Sequence, residues 1–392
     1  MTGRHIVLLV PEYPPETSGG GGVVYEALVE EYRKRNRVTV LAGRPGGGPT
    51  LWSGDVVRLA GPYLPQRLNF LRGTMPPSLS AITVINSVIS KADIVHAHGF
   101  GHPVVDLGIF AAHRNHVPVV HTLHGHPVSQ TVRGYAIKLG FAVYRYVLGE
   151  RALNLSNYRT AVSSAVAETF SQRYGVDCKV IPNGVSLASE EPWPVLSDLR
   201  AAGGYLIVGV GRLEWIKGFD LAIRALLIVR RQVDARLLII GPDFGAGKDL
   251  RELSESLGIS EYVAIVGVQS RGRVTSALKS ADCCLLSSHI EGFPGVPLEA
   301  MSVGTALVAA DLPGLRDYAV DGLNCLQFPP GDSTAMATQL LRVLSLPDLR
   351  VKLSMAASMV AGRYRWNLVA DDYERIFESL LGGDSPFDIL DT

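Results

Sequence analysis

Short runs of aliphatic and β-branched residues return along the whole chain, separated by segments long enough for a helix and carrying apolar residues at helical spacing. Strands covered by helices on both faces read as continuous apolar runs, and their alternation with helical segments is the pattern of parallel strands joined by crossovers. In the first half the runs are Ile6 to Val10, Val38 to Ala42, Val56 to Ala60, Asp93 to His98, Val117 to His121, Arg159 to Val162 and Lys179 to Ile181. A stretch containing Pro192 and Pro194 interrupts the periodicity. A second series then follows: Tyr205 to Val210, Arg236 to Ile240, Val263 to Val266, Cys283 to Leu286 and Ala306 to Ala309. The pattern predicts an α/β chain of two doubly wound domains with a closing amphipathic helix over Arg365 to Leu381. Length agrees, because 392 residues with 47% hydrophobic content exceed what one core fills, single cores ceasing to grow near roughly 250 residues. The boundaries expected are 1–188 for the first domain, 189–364 for the second and 365–392 for the closing helix and tail.

Formal net charge is zero, yet Lys and Arg outnumber Asp and Glu before residue 186 and are outnumbered after it. A basic first domain favours anionic surfaces such as lipid headgroups or acidic substrates. A nucleic-acid partner is not expected. Cys178, Cys283, Cys284 and Cys325 fit no zinc or redox spacing and read as small buried hydrophobes. The run Ile6 to Val10 is too short for a signal-peptide core and is cut off by Pro11, and no later window holds about 18 uninterrupted apolar residues. The chain is therefore expected in the cytoplasm, with peripheral contact to the inner face of the cell membrane as a further expectation. Arg133 to Arg151 bears on that contact: it interleaves Lys138 and Arg145 with Tyr135, Phe141, Tyr144 and Tyr146. Such a segment suits an anionic bilayer and the capture of a lipid-linked acceptor. It equally suits an ordinary domain helix with solvated cations.

The strongest motif is Glu291-Gly-Phe-Pro-Gly-Val-Pro-Leu-Glu299, which follows a buried strand and is expected to enter a helix over Leu298 to Ser302. Pro297 suits a first helical position, and Gly292 and Gly295 let a ligand approach the backbone where free amides and the helix's positive end converge. Glu299, expected in the first turn, can accept hydrogen bonds from ribose hydroxyls, as acidic residues do in dinucleotide sites. Glu291 would reach a more distal hydroxyl. The same residues also suit a tight turn followed by a carboxylate that complements the helix dipole. Gly211-Arg-Leu-Glu-Trp-Ile-Lys-Gly218 adds positive charge, with Arg212 leaving a strand at the carboxyl edge, where ligands bind in open α/β sheets, and Lys217 just before a helix. A planar guanidinium and a mobile ammonium can together hold a diphosphate without metal, although a pair of solvated surface cations has the same sequence. Tyr13-Pro-Pro-Glu-Thr-Ser-Gly-Gly-Gly-Gly22 resembles a phosphate-approach loop in composition but matches neither the P-loop nor the dinucleotide fingerprint. His121-Thr-Leu-His124-Gly-His126 ends another strand. A histidine there can bond a sugar hydroxyl or simply pack. No metal-ligand pattern with a partner carboxylate is found.

Taken together and in order, these residues resemble the large group of retaining glycosyltransferases related to the sucrose, trehalose and phosphatidylinositol mannosyl transferases. The resemblance is collinear over nearly the whole chain: the Pro-Pro then Gly-Gly loop, Asp93-Ile-Val-His-Ala-His98, Thr122-Leu-His124, Ile181-Pro-Asn-Gly-Val185, Gly211 to Gly218, Glu291-x7-Glu299 with Ala300-Met301, and Trp366. It implies the GT-B fold: two Rossmann-like domains facing a central cleft, the C-terminal helix crossing back to the first domain. The donor would be held mainly by the second domain and the acceptor by the first, with no cofactor and no divalent metal. By the same resemblance Arg212 and Lys217 bind the donor diphosphate and stabilise the leaving group, and Glu299 holds the ribose. Glu291 matches the carboxylate near the donor sugar, and His124 the histidine facing that sugar at the reaction centre. Gly19 and Gly20 border the diphosphate, Gly267 and Val268 receive the base, and Gly292, Phe293, Gly295 and Val296 complete the donor loop. Two departures stand out: Gly125 where many members carry aspartate, which weakens the inference about acceptor binding, and Ser287 in place of a common proline.

The function expected is transfer of a hexosyl group from a UDP- or GDP-linked sugar to a lipid-linked or saccharide acceptor. No protein nucleophile stands beside the cations, so retention of configuration by front-face attack rests on the resemblance. An epimerase or hydrolase of the same fold would need further acid and base groups around the donor sugar, which the sequence does not display. A non-catalytic nucleotide-sugar binder would be expected to have lost Arg212, Lys217 or a motif glutamate, and all are present. A nicotinamide dehydrogenase is disfavoured because neither Gly-rich stretch reads Gly-x-Gly-x-x-Gly after its strand.

Overall fold

The computed structural model describes residues 3–15, 20–44, 47–61, 77–125, 140 and 142–382. The chain divides into two units, Met1–Asn183 together with Trp366–Thr392, and Gly184–Arg365.

In the first unit the strands are β1 (His5–Val10), β2 (Arg37–Gly43), β3 (Leu51–Ser53), β4 (Val56–Leu59), β5 (Ile94–His98), β6 (Val119–Leu123), β7 (Tyr158–Ala161) and β8 (Lys179–Val180). They form one sheet in the order β3-β4-β2-β1-β5-β6-β7-β8. All neighbours pair in parallel except β3 with β4. The exposed edge strand β3 escaped the sequence reading because it buries nothing: all three of its residues face solvent. The central strands are apolar on both faces because both faces are covered. One face packs on helix Gly20–Arg33 and on the C-terminal helix Trp366–Gly382, whose Trp366, Val369, Ala370, Tyr373, Ile376 and Phe377 lie in the core with Ile6, Leu8 and Val40. The other face carries Val7, Leu9, Val95 and Val119 under Ala81 and Ile85 of helix Leu79–Ile89 and Val105 and Ile109 of helix Pro103–Arg114. The last helix of the chain is thus part of the first unit, and Arg4 ties to it through Glu374 at 2.8 Å.

The second unit holds β9 (Tyr205–Val210), β10 (Ala235–Ile240), β11 (Val263–Val266), β12 (Cys283–Leu286), β13 (Leu307–Ala310) and β14 (Leu326–Phe328). The sheet is parallel throughout, in the order β11-β10-β9-β12-β13-β14. Strand β14 is only three residues long, too short to stand out as an apolar run. Cys283, Cys284 and Cys325 are buried among apolar neighbours as expected, whereas Cys178 is only partly buried.

Each sheet reverses its winding order once, between β1 and β5 in the first unit and between β9 and β12 in the second. Loops leaving two such strands diverge to opposite sides and open a crevice at the carboxyl edge, where open α/β sheets bind ligands. The two positions therefore decide which sequence motifs can belong to a site.

Candidate active site

In the second unit, the Gly211–Gly218 motif leaves β9 and the Ser287–Glu299 motif leaves β12, so the two motifs flank the switch point. Their side chains meet: Lys217 Nζ lies 2.6 Å from Glu291 Oε1, and Ser288 Oγ donates to the same oxygen at 2.6 Å. Both partners of the ion pair are largely shielded, at 19% and 13% side-chain exposure. The positions of the two charges are set by backbone contacts between the loops. Ser287 Oγ donates to the Lys217 carbonyl at 2.7 Å, and the His289 amide donates to the Ile216 carbonyl at 2.8 Å. Ser287 therefore fastens one motif to the other. Gly218 completes the junction. Its φ is +61°, and a Cβ there would stand 2.2 Å from the Ser287 carbonyl oxygen, so no side chain fits.

Arg212 sits on the same loop with its guanidinium 3.1 Å from Glu214 and 5.2 Å from the Phe244 ring. Arg212 is the more exposed cation, at 39%. The structure pairs it with Glu214, a residue that sequence reasoning passed over.

The helix after Glu291 spans Gly295–Ser302 with Pro294 as its N-cap residue, not Leu298–Ser302 as expected. The amides of Gly295 and Val296 belong to its first turn, and Pro297 stands two positions inside its start, where a missing amide hydrogen costs no intrahelical bond. Glu299 consequently lies in the second turn rather than the first. Burial raises its carboxyl above the ordinary range, with the Arg271 charge acting in the opposite direction. Phe293 is buried against Tyr318, whose hydroxyl donates to the Pro294 carbonyl at 2.6 Å. Beneath the turn, a Cβ on Gly314 would meet the Gly292 and Glu291 carbonyl oxygens at 2.5 and 2.6 Å, so this glycine lets the segment at Pro313–Leu315 back the glutamate loop. Gly295 is exposed, and a Cβ there would meet nothing within 4 Å. Gly267 and Val268 follow β11, two strands from the switch point, and both are exposed.

In the first unit, Gly20 opens the helix after β1, and Gly19 lies outside the described residues. His124 follows β6, and its neighbour His98 ends β5 at the switch point. His98 Nδ1 and His124 Nε2 are 2.7 Å apart, with ring centroids 5.0 Å apart. Tyr25, from the helix after β1, sets its ring edge-on to both. Burial pushes the His124 imidazole down to about 4, with His121 and His102 adding to the effect, and pushes His98 well below the usual histidine range. His121, expected at a strand end, is instead inside β6 and fully buried, bonded to the Gly99 carbonyl. His126 lies outside the described residues.

Part of the segment Arg133 to Arg151 is also outside them. What is described is helical: residues 142–144, a π-helical turn Arg145–Gly149 and a helix Glu150–Leu155. Arg145, expected as a surface cation, is buried at 4% exposure, whereas Val143, Tyr146, Val147 and Leu148 are exposed. Tyr144 turns inward and donates to Asp106 Oδ2 at 2.6 Å. Among the described residues no helix is long and apolar enough to cross a membrane.

The sequence matches two family profiles, one described as Glycosyltransferase Family 4 over residues 18–189 and one as Glycosyl transferases group 1 over residues 198–359. A D-inositol 3-phosphate glycosyltransferase of Xylanimonas cellulosilytica is 30% identical over 298 residues, covering 71% of this chain and 70% of the relative. A phosphatidyl-myo-inositol mannosyltransferase of Mycolicibacterium smegmatis is 30% identical over 293 residues, covering 74% and 72%. Among solved structures, a sucrose-phosphate synthase of Thermosynechococcus elongatus superposes with a TM-score of 0.75 at 19% identity, covering 97% of this chain and all of that one. The Anabaena protein HepE in complex with UDP-glucose does so with a TM-score of 0.73 at 20% identity, covering 96% and 100%.

Proposed function

This chain belongs to the glycosyltransferases of group 1 and family 4, and from that membership we propose how its residues divide the work. The protein is a glycosyltransferase that draws on a nucleotide-sugar donor. We infer that it moves a hexosyl group from a UDP- or GDP-linked sugar to a hydroxyl acceptor with retention of configuration and without a metal ion. The observation that carries this reading is the Lys217–Glu291 pair bridging the two loops of the switch point, beside the first turn of helix Gly295–Ser302.

When the glycosidic bond breaks, the diphosphate gains negative charge. Lys217, Arg212 and the amides at Gly295 and Val296 supply positive potential preorganised for it, and interactions of this kind commonly account for the largest share of barrier lowering. Lys217 holds Glu291 in the ground state. A diphosphate arriving at the ammonium loosens that pair and leaves the carboxylate for a sugar hydroxyl. Glu299 accepts from the ribose hydroxyls, and its raised carboxyl reflects burial that those hydroxyls offset by hydrogen bonding. Gly292 and Phe293 shape the donor loop, Gly267 and Val268 border the base, Gly19 and Gly20 approach the phosphates, and His124 faces the transferred sugar. The test is release of nucleoside diphosphate from UDP- and GDP-hexoses in EDTA, with anomeric configuration of the product read by NMR. Turnover that requires an added divalent cation, or an inverted product, would contradict the proposal.

The acceptor reading follows from the exposed row Val143, Tyr146, Val147 and Leu148. Apolar and aromatic side chains presented together on a basic domain suit the interfacial layer of an anionic bilayer, and so a lipid-linked acceptor. The protein would then act in the cytoplasm as a peripheral protein of the inner membrane face. Flotation with phosphatidylglycerol-containing vesicles is expected to carry the parent protein and to leave Tyr146→Asp and Val147→Asp behind. Equal flotation of both variants would overturn the membrane contact and favour a soluble saccharide acceptor.

A further inference from the structure

The proton between His98 and His124 decides what His124 can offer a substrate. The parallel register of β5 and β6 pairs His98 with Thr122, which brings the two rings together at the carboxyl edge with Nδ1 of His98 2.7 Å from Nε2 of His124. At that distance one nitrogen must donate and the other accept. His98 is fully buried, packed 4.1 Å from the His96 ring and edge-on to Tyr25. Its remaining nitrogen, Nε2, is buried with no hydrogen-bond partner among the described residues.

Two arrangements satisfy the short contact. If His98 carried its proton on Nε2, a buried N–H would be left without an acceptor, the rarer and costlier kind of orphan in folded proteins. If the proton sits on Nδ1, His98 donates to His124 Nε2 and the orphan is only a lone pair. His124 must then carry its own proton on Nδ1, the ring nitrogen not engaged by His98. We propose that His98 is a positioning residue that locks His124 into the Nδ1–H tautomer, so that His124 presents the transferred sugar with a hydrogen-bond donor and not a base. A donor there bonds the lone pair of a sugar hydroxyl and fixes the ring's orientation without withdrawing a proton. Both rings are held neutral by the same burial, so an exchangeable charge does not compete with this role. The proposal rests on His124 facing the donor sugar, as argued above.

The tautomer can be read directly. In the full-length protein labelled with 15N at histidine, long-range 15N–1H correlation spectra at pH 7.5 are expected to show His124 protonated at Nδ1. In His98→Ala it should revert to Nε2–H, the form favoured by free imidazole side chains. Nucleoside diphosphate release from UDP-glucose or GDP-mannose should fall about ten- to a hundredfold in kcat, as a misplaced reacting group costs, with KM for the donor within about threefold. In His98→Asn the side-chain amide can donate from nearly the same place as Nδ1, so the Nδ1–H tautomer and most of the lost kcat should return. An Nε2–H signal for His124 in the parent protein overturns the proposal without any variant. So does an Nδ1–H signal that persists in His98→Ala, or an asparagine variant no better than alanine. His124→Ala separates this from the underlying reading: unchanged kcat there would remove His124 from the reaction, whatever its tautomer.

Discussion

Lys217 and Glu299 belong to one unit, yet their loss should be felt in different kinetic constants. In the proposed reading Lys217 bears most on the charge that the diphosphate gains as its bond to the sugar breaks, so Lys217→Ala is expected to lower kcat by about 10²–10³ and to weaken donor binding by a smaller factor. Glu299 would bond ribose hydroxyls equally in ground and transition states. Glu299→Ala should therefore raise the donor's Kd by about 10- to 100-fold, the worth of roughly 1.5–3 kcal/mol for hydrogen bonds to a charged group, with kcat little changed. Steady-state kinetics together with calorimetric titration of the donor separates the two. These residues were legible as candidates because both motifs follow strands at the carboxyl edge of an α/β sheet, but each has a plain structural use as well, and their roles came from the family resemblance. The partners of Ser287, Ser288 and Glu214 were not legible, since a polar side chain's partner depends on how the loops lie against one another. Only strand order revealed that Ser287 reaches the Lys217 carbonyl. His98 lay inside a quoted motif, but its 2.7 Å contact with His124 follows from the register of β5 on β6.

At the level of elements, the runs that became central strands were legible because burial on both faces demands continuous apolar sequence. The edge strand Leu51–Ser53 buries nothing and carries no such signal. The expected start at Leu298 takes Pro297 as the first helical residue, where proline is commonest, whereas the helix begins at Gly295 and Pro297 stands third, where its missing amide hydrogen still costs no intrahelical bond. Gly218 offers a sharp test of the junction between the two site loops. Gly218→Ala forces a side chain into a left-handed φ and against the Ser287 carbonyl, and should destabilise the second unit by about 1–3 kcal/mol. The effect is read in urea melts followed by a probe in that unit, and an unchanged midpoint would contradict the steric reading. The histidine ladder across β5 and β6 sets a pH dependence. His121 and His124 are depressed from 6.5 to about 4, so their neutral burial contributes stability that is full above about 6.5 and is lost as pH falls from there to about 4. Asp106, raised from 3.8 to about 7 by burial, has the opposite sign: its contribution is full below 3.8 and is lost as pH rises through 7. Melting temperature is therefore expected to fall on acidification from pH 7 to 4.5, and to fall more steeply in Asp106→Asn, where the compensating group is gone. A flatter profile in that variant would contradict the assignment.

Across the whole molecule, the two-unit division puts the last helix of the chain with the first unit. Trp366, Val369, Tyr373, Ile376 and Phe377 are buried there, each worth about 1.5–3 kcal/mol. Their sum rivals the stability of about 5–15 kcal/mol of an ordinary domain. A chain ending at Arg365 should lose the first unit's calorimetric transition and keep the second's. Retention of both would show that the helix is dispensable. The amphipathic pattern of Arg365 to Leu381 announced a helix, but the sheet it covers could be identified only through the family resemblance, because periodicity names a buried face and not its partner.

In the proposed site the second unit would hold a nucleoside diphosphate between Lys217, Arg212 and the start of helix Gly295–Ser302, with Glu299 on the ribose. The most direct measurement is the melting temperature of the full chain against UDP, GDP, ADP and their hexose conjugates in EDTA, repeated with Glu299→Ala. A ligand present at 100 times its Kd adds about 2.7 kcal/mol, so one base is expected to raise the transition clearly in the parent and at least tenfold less effectively by concentration in the variant. No response to any of these nucleotides at millimolar concentration, or an equal response from Glu299→Ala, would contradict the account.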